Sequence, residues 1–142
     1  MHKLIFSMQL RATEDLIYGN LQLIYPGARA IDYIATSGCT NWQQSEDVWA
    51  RGRGPIPAGE YQVSNEPYWL ETRGVEGLFY HITPDPVGSG DRVRGELGLH
   101  FDANVPGSSG CIVLRNESGW KRLCDRLASI PQKFIPLSVE YA

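Results

Sequence analysis

The chain has 142 residues with 13 basic and 16 acidic side chains, a formal net charge of −3. That length predicts one domain, residues 1–142, able to bury roughly 68–70% of the surface of its unfolded chain. Its composition, 42% hydrophobic and 20% charged, excludes a disordered chain. The mild acidity speaks against a nucleic-acid partner bound through its phosphates. Three cysteines are too few and too odd in number for a disulfide scaffold. No run reaches the roughly 20 apolar residues that a membrane-spanning helix needs.

The first residues, MHKLIFSMQLR, carry one lysine and an apolar stretch that Gln9 and Arg11 interrupt before it reaches signal-peptide length. Leu4–Leu10 is read as a strand, and the chain as a soluble domain without an export signal of its own. Residues 3–12 and 20–25 predict two strands around a turn at Glu14–Gly19, and Ala30–Thr36 alternates as a third. Together they predict an opening antiparallel meander. Residues 37–58 read as a long irregular segment, and such a segment inside a domain is usually functional.

Further short strands are expected at Gly59–Ser64, Trp69–Thr72, Leu78–Thr83, Glu96–Phe101 and Cys111–Leu114, with Pro84–Arg94 as a turn-rich loop. One segment has helical period: Trp120, Leu123, Leu127 and Ile130 recur at spacings of three and four. Asn116 or Ser118 can cap it and Pro131 ends it. Phe134–Tyr141 can return as an edge or central strand. The expected fold class is mostly β with one clear α-helix.

The stretch Gly98–Asn116, GLHFDANVPGSSGCIVLRN, carries the chemistry. His100 ends an apolar strand, and Cys111 opens another behind a glycine that permits close backbone approach. A thiol with an ordinary pKa is only a few per cent thiolate at neutral pH and needs a base. His100 supplies one if its strand neighbours that of Cys111. The backbone N–H groups of Gly110 and Cys111 can then face an acyl oxygen.

This stretch resembles the catalytic signature of the YkuD-like L,D-transpeptidase family, a histidine-bearing strand followed by Ser/Thr-X-Gly-Cys-Ile. Gly54–Val63, GPIPAGEYQV, is similar to the family's proline-rich turn, and Ala35-Thr36-Ser37-Gly38 to a segment of its compact, effector-like branch. The resemblance implies a single-domain L,D-transpeptidase-like mixed β-sandwich. It implies Cys111 as nucleophile, His100 as base, oxyanion donors at Gly110–Cys111, and the Phe101 carbonyl orienting the histidine. Asn116 matches an asparagine five positions past the cysteine. Two positions depart from the family pattern: Ser109 stands for its second histidine and Val113 for its arginine.

The resemblance implies an L,D-transpeptidase or L,D-carboxypeptidase/endopeptidase acting on peptidoglycan stem peptides through a thioester, with no cofactor. The alternative is a non-catalytic cell-wall-binding module on the same scaffold. Peptidoglycan lies outside the cytosol, so a signal-less form suggests a protein made in the cytoplasm and delivered by secretion or lysis, with an immunity or delivery protein as partner.

Other residues have competing readings. Ser109 suits a turn or an oxyanion-side role, because its surroundings are not a nucleophile elbow. Arg51, Arg53 and Arg115 can grip a carboxylate, although solvated surface is the commoner role. Trp42 and Trp49 can line a groove or pack down their loop. Cys124 reads as a helix-core thiol and Cys39 as non-catalytic. A zinc set of His81, His100 and Asp102 lacks any metallopeptidase helix motif.

Overall fold

The computed structural model describes residues 1–103 and 105–142. Period-2 alternation sets the first strands. In β1 (Lys3–Met8) every second residue is buried, putting Leu4, Phe6 and Met8 on one face. β2 (Gly19–Ile24) turns Leu21 and Leu23 to the same side. β3 (Ile31–Cys39) continues the antiparallel meander, pairing Leu21 with Tyr33 and Gly19 with Ala35. It runs three residues beyond the expected end at Thr36, because Ser37 and Cys39 pair with a later strand.

The segment after β3 keeps one short 3-10 turn, Ser45–Asp47. β4 (Gly59–Ser64), β5 (Tyr68–Leu70) and β6 (Gly77–Thr83) follow. The expected loop over 84–94 contains instead a small hairpin, β7 (Val87–Ser89) and β8 (Arg92–Arg94). Then come β9 (Gly98–Phe101), β10 (Gly107–Leu114), the helix α1 (Glu117–Ala128) and β11 (Phe134–Tyr141). The fold is mostly β with one helix.

Eight strands form a closed, barrel-like ring in the order β4-β11-β1-β2-β3-β10-β9-β6, with β6 pairing back to β4 and β5 appended to β6. β11 closes the ring centrally, parallel to β1 and antiparallel to β4. α1 lays Trp120, Leu123 and Leu127 into the common core, and Trp120 meets Tyr80 edge-on at 5.9 Å. The Asn116 side chain accepts the Gly119 N–H at 2.7 Å, which starts the helix.

The two faces of β6, β9 and β10 have different partners. Tyr80, Leu99 and Ile112 are mutual neighbours in register and belong to the core. The alternate set, Phe79, His100 and Val113, points the other way, under the loops. That outer face carries the candidate site.

Candidate functional site

β9 and β10 are parallel, with Leu99 opposite Ile112 and His100 opposite Val113. Their paired residues, 99–101 of β9 and 112–114 of β10, run side by side in the same direction, with the first half of β10 turned to β3 instead. Cys111 therefore lies on the same face as His100, displaced by two residues along the neighbouring strand. Strand spacing and rise place their Cα atoms on the order of 8 Å apart, a span that an imidazole and a thiol can cover between them. Gly98, the next residue of β9 in register, is kept small by Phe79: a Cβ there would meet the Phe79 ring at 2.1 Å. That ring in turn stacks on His100, with centroids 5.9 Å apart.

His100 is 5% exposed, and its Nδ1 lies 2.8 Å from the Phe101 carbonyl oxygen. A carbonyl only accepts, so Nδ1 carries the proton and Nε2 keeps its lone pair. Burial pushes the imidazole below its ordinary pKa, against the opposing pull of that carbonyl and of Asp102. The histidine is thus neutral at pH 7.

Cys111 is half-buried, with Sγ 3.8 Å from the Glu96 carbonyl oxygen. Burial pushes its thiol up to about 11, while the Gly98 amide and the Arg94 charge favour the thiolate. The resting pair is thiol and imidazole rather than thiolate and imidazolium. Glu96 holds a left-handed backbone conformation, φ 55°. Its N–H donates to Asp85 Oδ1 at 3.2 Å, and the other oxygen of Asp85 takes His81 Nε2 at 2.8 Å.

The residues before Cys111 form a bulge, five steps of β10 against two of β3. Gly107 and Gly110 absorb it at φ 95° and 135°. Ser108 knits the bulge together. Its hydroxyl donates to the Cys111 carbonyl and accepts the N–H groups of Gly38 and Gly110, at 3.1 and 3.2 Å. The Gly110 N–H, expected to face an acyl oxygen, is therefore committed to Ser108. Ser37 Oγ donates to the Gly110 carbonyl at 2.7 Å and accepts the Ile56 N–H at 2.9 Å. The Ser109 carbonyl takes Arg94 at 2.9 Å.

Three clefts meet at Cys111. One, of about 420 Å³, is walled by His100, Asp102, Ser109, Cys39 and the 72–75 loop. A second, of about 540 Å³, runs past Arg51, Arg94 and Glu96. The third, of about 460 Å³, is lined by Tyr68, Phe79, His81 and Asp85.

Cys111, His100 and Ser109 thus share one cleft. Trp42, Arg53 and Arg115 are not among the residues that line it. The Arg53 guanidinium lies 4.9 Å from the Trp42 ring centroid. Arg115 reaches Asp102 at 3.3 Å, where the same carboxylate oxygen accepts the Gly107 N–H at 2.8 Å. Cys39 lies against the Ser108 carbonyl and is raised in pKa by burial. His81, His100 and Asp102 do not come together as ligands: among the described residues no three His, Cys, Asp or Glu side chains are grouped to hold a metal ion.

Sequence reasoning missed Arg94, Ser108, Ser37 and Gln43. The Gln43 amide is buried and bonds Ile17, Thr36 and Ser37, tying the long loop to β3. Nothing local marks these residues, because their partners lie far away in the chain. The signal within reach was the pair of glycines flanking two serines, which suits a bulge as well as a turn. No family model matches the chain, and no match was found among the curated proteins.

Proposed function

We propose that this domain is an L,D-transpeptidase-like cysteine acyltransferase or peptidase acting on peptidoglycan stem peptides. The observation that carries the reading is the meeting of three clefts at a thiol which shares a sheet face with a neutral histidine whose Nε2 is free to accept a proton. The Cys111 proton passes to His100 Nε2 as sulfur attacks the carbonyl carbon between an L-centre and a D-residue. The C–N bond breaks, the D-residue leaves as an amine with the proton from His100, and a thioester remains. Attack by water releases the acid, and attack by an amine forms a new amide; either restores the thiol. An immunity or delivery protein is part of the same reading, since the substrate lies outside the cytosol.

A second reading, a non-catalytic cell-wall-binding module, is favoured by the protonated resting state of Cys111 and by the commitment of the Gly110 N–H to Ser108. Mass spectrometry of tetrapeptide muropeptides incubated with the protein separates the two. Loss of a terminal D-residue, or cross-linked or exchanged products, is expected with the wild type and abolished in Cys111→Ala. His100→Ala is expected to slow the reaction about 10²–10⁴-fold. Unchanged muropeptides together with co-sedimentation on sacculi would select the binding module.

A further inference from the structure

Arg94, the last residue of β8, is 2% exposed. Among the described residues no carboxylate pairs with it; four backbone carbonyls surround it instead. Nη1 donates to Val48 at 2.6 Å and Pro55 at 3.1 Å, and Nη2 to Gly54 at 3.0 Å and Ser109 at 2.9 Å. Buried guanidinium groups usually take a carboxylate, which cancels their charge. Neutral dipoles satisfy the N–H groups and leave the net charge in place. The guanidinium also lies directly under the bulge: a Cβ on Gly110 would stand 2.3 Å from Nη2.

We propose that Arg94 is the positioning residue of the nucleophile, strapping the 48–55 loop to the bulge through the Ser109 carbonyl and leaving an uncancelled positive charge beside the Cys111 sulfur. This rests on the reading of Cys111 as nucleophile. Among the other charged groups around the sulfur, Arg51, Arg73 and Glu96 are exposed, so solvent screens them. Asp102 is engaged by Arg115 and the Gly107 N–H, Asp85 by His81 and the Glu96 N–H, and His100 is neutral at pH 7. Arg94 is the cation whose field reaches the sulfur through the protein interior, and burial lowers its own pKa without discharging it.

The test is the pH dependence of Cys111 alkylation by iodoacetamide, followed peptide by peptide with Cys124 as internal reference. In Arg94→Met the ionisation midpoint rises by about one pH unit or more, and the rate at pH 8 falls about tenfold. Arg94→Lys keeps the charge without the fork, so its midpoint stays near wild type while the rate drops a few-fold, about threefold. Ser37→Ala loosens the bulge from the other side and leaves the midpoint in place. A purely structural strap would lower thermal stability in Arg94→Met with the midpoint unmoved, and that result overturns the proposal. Should Arg94→Met not fold, Arg94→Lys decides: a midpoint near wild type upholds the charge, and one raised by a full unit overturns it. The readout needs no substrate, so inert muropeptides would overturn the functional reading and leave this one standing.

Discussion

At Cys111 and His100 burial favours the neutral form of both groups, because it penalises whichever form is charged. The thiol is pushed up to about 11 and the imidazole below its usual value. An acyl transfer run by this pair depends on proton transfer during attack, not on a standing thiolate. The profile of kcat/KM against pH is therefore expected to have its acid limb below 6.5, falling as His100 takes a proton. A limb at or above pH 7 would contradict a lowered His100. Stability follows the same sign. The unfolded imidazole binds a proton that the folded one resists, so the contribution of His100 is present above 6.5 and lost as pH falls through its folded value. Asp102 has the opposite sign. Burial raises its carboxyl above the ordinary 3.8, so its contribution is present at lower pH and fades as pH rises through the folded value.

Among the elements, the β10 bulge depends on side chains more than on the ladder. Ser37, Ser108 and Arg94 take up the carbonyls of Gly110, Cys111 and Ser109, as buried backbone groups require. Ser37→Ala strands the Ile56 N–H and the Gly110 carbonyl, and orphaned buried groups cost about 1–3 kcal/mol. A drop in Tm of roughly 5–10 °C is expected, measured by calorimetry. A variant as stable as wild type would mean that the bulge holds without this hydroxyl. Sequence pattern anticipated β4 and β11 to the residue, because each alternates between clear turn signals. It missed β7 and β8, whose three-residue strands lie among Pro84, Pro86, Gly88 and Gly90 and fully bury one side chain, the polar Arg94. It read Gly107–Gly110 as loop, since glycine and serine carry no strand signal and the pairing of Gly107 with Cys39 is long-range.

For the whole molecule, the last strand completes the ring begun by the first. β11 buries Ile135, Leu137 and Val139 and occupies the edges of β1 and β4. Deleting residues 134–142 would leave those two edges open and uncover the core. Open edges pair with other chains, so size-exclusion chromatography is expected to show aggregates in place of the wild-type peak. A monomeric truncation with unchanged circular dichroism would mean that the ring closes without this strand.

What the sequence determined by itself is what neighbouring residues encode. Alternation set the strands, a 3.6-residue period with an asparagine cap set the helix, and a Gly-Cys step after a histidine strand singled out the candidate site. Such signals need only a few consecutive residues, because each reports which side of the backbone is apolar. The tertiary structure alone decided that the sheet closes, that Arg94 is buried under the β10 bulge beside Cys111, and that the Gly110 N–H is committed to Ser108. These depend on groups tens of residues apart, Val48 and Ser109 on one guanidinium, Ser37 and Gly110 on one hydrogen bond. Which polar groups meet there is settled by the requirement that buried donors and acceptors find partners, a condition that no local stretch of sequence can meet.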